Sequence, residues 1–107
     1  MIVYAVTATL PPGLEAAWLA WLLGGHVQAV LAGGACRATV TRLEGEPCRV
    51  ETRYLFETAE DFARYEAEAA PALRAEGKAL FVDPHGVQLT RTLGTQVAEL
   101  GGEGQGG

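Results

Sequence analysis

The chain opens on an alternation that switches period twice. Ile2, Tyr4, Val6 and Ala8 fall on one side of an extended segment over residues 2–10, with Val3, Ala5, Thr7 and Thr9 on the other, the two-residue period of a strand. Pro11-Pro12-Gly13 stops it and opens a helix, since proline is accepted at a helix start and cannot continue a ladder. From about Leu14 to Leu31 the apolar positions recur at helical spacing, with Gly33-Gly34 as the predicted stop. Leu14, Trp18, Trp21, Leu22, Gly25 and Ala29 cluster on one side, and Leu19, Leu23, His26 and Val30 lie beside them. That apolar arc covers about 200°, wider than the stripe of about 100° that one sheet can cover.

The run from Ala35 to Glu44 returns to the two-residue period and pairs with Cys48 to Thr58 across a Gly45-Glu46-Pro47 turn. The pairing that sets apolar beside apolar places Cys36, Ala38 and Val40 opposite Phe56, Tyr54 and Thr52, and a slip by one residue scrambles both faces. Thr58 is a helix N-cap, with Glu60 and Asp61 meeting the positive end of the dipole. The following helix buries Phe62, Tyr65, Ala69 and Leu73 and turns Glu60, Arg64, Glu68 and Arg74 to water. Pro71 interrupts it near Ala70, and Gly77 caps it near Glu76. After Asp83-Pro84-His85-Gly86, a last strand runs from Val87 to Leu93, alternating Val87, Leu89, Arg91 and Leu93 against Gln88, Thr90 and Thr92.

The predicted fold class is α+β: a ferredoxin-like βαββαβ arrangement, a four-stranded antiparallel sheet with two helices on one face. Residues 1–93 form this domain and residues 94–107 a glycine-rich tail. The uncovered face carries Val3, Ala5, Thr7, Thr39, Thr41, Leu43, Leu55, Thr90 and Thr92 with few charges. A fully solvated face carries more Lys and Glu, so the pattern predicts a homodimer with two sheets stacked through these open faces.

Composition narrows the function. The net charge of −5 and the 8 scattered Lys and Arg argue against nucleic acid, whose binding draws on clustered cations. The stretch from Ala16 to Gly34 is nearly apolar, but Gly24-Gly25, His26 and Gln28 interrupt it, and no membrane span is predicted. Cys36 and Cys48 sit about 26 Å apart along the predicted hairpin, far beyond disulfide reach, so both thiols are free. Free thiols suit the cytoplasm. Cys36, between apolar neighbours and without a base, is read as buried and inert.

His26 is the candidate catalytic residue, because a neutral imidazole in an apolar arc can act as acid or base. The competing reading is a last-turn histidine bonded to a backbone carbonyl. Trp18, Trp21, Leu22 and Tyr54 are the candidate ligand-binding wall, although tryptophans on a buried arc also serve simply as core. Arg53, and with it Arg91, lies on a strand and either reaches a pocket mouth or pairs with Glu51 or another carboxylate; Arg53 is placed with the ligand candidates. His85 is a turn residue. The two histidines do not make a metal site, no metal is predicted, and no cofactor is implied.

The pattern Trp18-x-x-Trp21-x-x-x-x-His26-Val27, with Tyr65 and the run Ala70-Pro71-Ala72-Leu73-Arg74-Ala75-Glu76-Gly77, resembles a bacterial family of small proteins defined as a domain of unknown function, over about residues 1–93. That family is similar to the dimeric α/β-barrel superfamily, which includes antibiotic-biosynthesis-type monooxygenases, haem-handling proteins and small isomerases. The resemblance implies fold and dimer, and some branches hold small molecules between sheet and helices; it implies no particular reaction. Where the family often carries a histidine before the Ala-Pro pair, this chain has Ala69. Two functions follow. The first is a homodimeric small-molecule-binding or scaffold module without chemistry of its own. The second is a cofactor-independent monooxygenase- or isomerase-like enzyme acting on a small apolar substrate between the first helix and the sheet, with His26 as its acid-base group.

Overall fold

Tyr4, Ala8, Val50, Tyr54 and Phe56 are all buried and all point to the same side of a sheet, which fixes which face the helices must cover. In a computed structural model, which describes residues 1–102, the strands are β1 (Ile2–Thr9), β2 (Arg37–Leu43), β3 (Arg49–Phe56) and β4 (Gln88–Thr95). They form one antiparallel sheet in the order β2-β3-β1-β4. The hairpin register is the predicted one, with Ala38 opposite Tyr54, Val40 opposite Thr52 and Thr39 opposite Arg53. β4 runs to Thr95, so Gly94 and Thr95 extend the ladder, and the Gln96 amide donates to the Met1 carbonyl at 2.8 Å. The predicted tail therefore starts inside β4 and ends in residues 103–107, which lie outside the described residues.

The first helical connection is α1 (Glu15–Trp21), a π turn (Leu22–His26) and α2 (Val27–Ala32). The π turn inserts one residue into the helical phase, with Gly25 at φ 157° and ψ −29°. This corrects the predicted helical face. Beyond Leu22 the buried positions move one residue along, to Val27 and Val30, while Gly25 is exposed and Ala29 half-buried.

The second connection is α3 (Ala59–Glu68), α4 (Ala70–Gly77), a π turn (Lys78–Val82) and α5 (Asp83–His85). Thr58 Oγ1 accepts the Asp61 amide at 3.0 Å, the predicted cap. The break falls at Ala69, before Pro71, as the ring requires. Gly77, however, does not end the helix. The chain stays helical to His85 and stops at Gly86, whose φ of 71° is the left-handed conformation a helix terminus uses. Gly77 is glycine for a packing reason: a Cβ there would lie 3.1 Å from Cη2 of Trp21. A second correction concerns Cys36, which is exposed rather than buried; both cysteines are free. Among the described residues no helix is long and apolar enough to cross a membrane.

Candidate functional site

The aromatic residues that the helices press onto the sheet do not fill it evenly. At the end of β3, Phe62 and Tyr65 pack with ring centroids 5.2 to 5.3 Å from that of Phe56, the spacing of aromatic rings in contact. Toward β4 the neighbours are larger and partly polar. There Trp18 and Leu22 of the first connection, Tyr4 and Tyr54 of the inner strands and Arg74 of α4 line a cavity of about 50 Å³.

Its polar wall is built from two arginines on one phenol. Arg74 Nη2 donates to the Tyr4 hydroxyl at 3.1 Å and Arg91 Nε donates to the same oxygen at 3.2 Å. Arg74 also pairs with Glu66, and its Cζ lies 5.9 Å from the Tyr4 ring centre, a cation–π distance. Arg91 reaches this point because its position on β4, opposite Val6, puts its side chain on the helix-covered face. Burial holds the Tyr54 phenol well above its ordinary range and pushes Tyr65 up to about 12. Both are neutral hydroxyls at any physiological pH.

His26 closes another wall. The π turn swings its ring onto Trp21, stacked at 4.1 Å between centroids, and Trp21 Nε1 donates to Glu76 at 2.9 Å. Burial lowers the His26 pKa from its ordinary 6.5, partly opposed by the Glu76 charge; the imidazole is neutral near pH 7. Its Nδ1 is buried without a partner, as are Trp18 Nε1 and Arg74 Nε. Among the described residues four buried side-chain nitrogens or oxygens are orphaned in this way, and only Arg49 Nε lies away from the cavity.

Residues 1–93 match a family described as Domain of unknown function (DUF4286). The chain belongs to that family. No curated protein matches it in sequence. Among solved structures it is similar to a dimeric ferredoxin-like protein from an uncultured marine organism, with TM-score 0.70 and 11% identity over 94% of this chain and 98% of that one. It is also similar to a variant of SnoaB, a cofactor-independent oxygenase from Streptomyces nogalater, with TM-score 0.70 and 15% identity over 92% of this chain and 95% of that one. A third is a variant of MhuD with two manganese protoporphyrin IX bound per active site, with TM-score 0.68 and 18% identity over 95% of this chain and 100% of that one. At these identities the likeness shows the fold, which is ferredoxin-like, and leaves the chemistry of the family open.

Of the residues singled out from the sequence, the structure brings Trp18, Trp21, Leu22, His26 and Tyr54 to one cavity. Arg53 is not among them. It is exposed on the uncovered face of the sheet and pairs with Glu51 at 3.2 Å, because its strand position has the opposite parity to Tyr54. Arg74, predicted to face water, is instead half-buried on the cavity wall. Tyr4, Tyr65 and Arg91 line the cavity too. A signal for Arg91 was present: a charged residue on the apolar parity of a strand, between Leu89 and Leu93. His85, by contrast, is exposed at the end of α5, apart from the cavity.

Proposed function

We propose that the protein is a homodimeric small-molecule-binding module whose ligand sits between the first helical connection and the sheet. The observation that carries this reading is the cluster of unpaired polar groups: Trp18 Nε1, His26 Nδ1 and Arg74 Nε are buried without partners on residues lining one cavity. A packed core pairs such groups, since each costs about 1–3 kcal/mol when orphaned, whereas a bound molecule or ordered water supplies the missing partners. Binding without chemistry is favoured by the lack of an activated nucleophile among the described residues. Cys48, which touches Glu15 at 3.5 Å, has its thiol pushed up by burial and by that carboxylate, the unreactive form.

The second copy covers the open face. Across β2-β3-β1-β4 that face reads Arg37-Leu55-Val3-Gly94, Thr39-Arg53-Ala5-Thr92 and Thr41-Glu51-Thr7-Thr90, a surface of small and branched side chains with one internal ion pair. Stacking two such faces buries about 800 Å² on each, a standard interface. Both cysteines are free, which suits a reducing compartment, and the cytoplasm is the proposed location. Native mass spectrometry of the full chain tests assembly and binding together. The expected species is twice the 11.3 kDa subunit with a retained small molecule; a bare single subunit overturns the proposal.

A second reading has its own support. His26 is a neutral imidazole stacked on Trp21 with Glu76 alongside, an acid-base group on a cavity wall. If the module is an enzyme of the oxygenase or isomerase type, His26→Ala abolishes turnover and leaves the melting temperature unchanged. An equal loss of stability marks His26 as structural.

A further inference from the structure

The cavity does not end at Tyr4. Arg74, Leu89 and Arg91 line it and also line an open cleft of about 600 Å³, where Lys78, Val82, Val87 and Gln88 complete the wall. In a chain of net charge −5 with 8 Lys and Arg, three cations meet here and, among the described residues, no Asp or Glu lines the cleft. Two of the three are already neutralised, Arg74 by Glu66 and Lys78 by Asp83 at 3.0 Å. Arg91 forms no ion pair among the described residues. Its Nε is committed to the Tyr4 hydroxyl, which orients the guanidinium and leaves its two terminal amino groups for a carboxylate fork.

Beyond this neck the space is small, and its mainly apolar walls carry a few unpaired polar groups. A volume of about 50 Å³ holds about four water-sized positions, so a long chain or a tetrapyrrole does not fit. Trp18 is 4% exposed, and its indole N–H has no acceptor. Indole nitrogen can only donate. An occupant that brings an oxygen to Trp18 as well as negative charge to Arg91 pairs both.

Building on the binding role proposed above, we infer that the neck formed by Tyr4, Arg74 and Arg91 takes the carboxylate of a compact oxygenated acid, of the class of short 2-oxo and 2-hydroxy acids. The carboxylate lies on Arg91 at the join of cavity and cleft. The carbonyl or hydroxyl oxygen accepts from Trp18, and the short carbon chain rests against Leu22 and Tyr54. An acid without the second oxygen leaves Trp18 unpaired and binds less tightly; a neutral ketone leaves Arg91 unpaired and binds least.

The two indole N–H signals of the ¹⁵N-labelled full-length protein test this directly, with Trp21→Phe assigning which signal belongs to Trp18. Pyruvate, acetate, acetone and inorganic phosphate are titrated at matched ionic strength. Pyruvate is expected to shift the Trp18 signal saturably, acetate to bind more weakly and acetone not at all. Arg91→Gln, a change at an exposed edge-strand position, should weaken pyruvate by about tenfold or more, while Lys78→Gln changes it less than about twofold, since that lysine is engaged by Asp83. Acetone binding as well as pyruvate, phosphate matching it, or Arg91→Gln leaving it unaltered would each overturn the acid. If neutral probes such as indole move the Trp18 signal and no acid does, the acid fails and the binding role survives. When no probe moves it and no small molecule is retained in native mass spectra, both fall.

Discussion

The two ends of the helix-covered face are made from similar residues and behave differently. Where β3 ends, Phe56 is wholly buried against Phe62 and Tyr65, and Gly33 is pressed so closely that a Cβ would meet Ala69 Cβ at 3.0 Å. At the β4 end, aromatic rings of comparable size surround a hollow with three unpaired nitrogens on its walls. Aromatic content alone therefore does not decide whether a region is core or site. The deciding feature is whether polar groups are paired, because a close-packed region leaves no room for a missing acceptor.

The sharpest way to break the comparison is to remove the filler of the closed end. Phe56→Ala should cost about 3–5 kcal/mol in chemical denaturation, the range for deleting a buried aromatic ring; a loss below about 1 kcal/mol would show that this end is not the stabilising core. Overfilling the same end comes next. Gly33→Val should destabilise by about 1–3 kcal/mol, because the contacts at 3.0 Å to Ala69 and 3.1 Å to Tyr65 leave its side chain no place.

Substitutions at the hollow end should cost less. His26→Leu exchanges an orphaned polar ring for an apolar side chain and is expected to change stability by less than about 1 kcal/mol in either direction. It should also remove a pH effect. Burial sets the folded-state pKa of His26 below 6.5, so above that pH both states are neutral and the group contributes nothing. As pH falls through 6.5 the unfolded chain takes the proton first, and stability drops until the folded-state pKa is passed. Urea titrations across this window should show that drop in the unaltered protein and a flatter profile in His26→Leu. The smallest effect is expected from Gly77→Ala, where gained helix propensity of about 1 kcal/mol opposes a Cβ lying 3.1 Å from Trp21. Near-neutral stability with altered tryptophan emission is the anticipated outcome, since the indole can shift toward its half-exposed side.

Much of this was legible in the residue pattern, and the reason is local. The hairpin register follows from parity, for only one alignment sets Ala38 and Val40 beside Tyr54 and Thr52. Thr58 and Pro71 mark a helix start and break through chemistry that acts within a few residues. The errors arise where tertiary contact overrides local rule. A helical wheel assumes a constant turn, and the π turn at Leu22–His26 breaks that assumption, moving the buried face beyond it. Gly77 looks like a stop signal and serves instead as a seat for Trp21. Arg74 reads as a solvent-facing residue until Tyr4, far away along the chain, and Glu66 of the preceding helix hold it inward. Cys36 shows the converse, a thiol expected to be buried and left exposed where β2 forms the edge of the sheet.

Trp18 and Trp21 lie 5.2 Å apart between ring centres, tilted by 46°. Transition dipoles held so near and at such an angle couple as an exciton pair, so the chain should carry a split band in its ultraviolet circular dichroism. Occupancy of the space beside them would then be readable from an intrinsic optical signal, with no label attached.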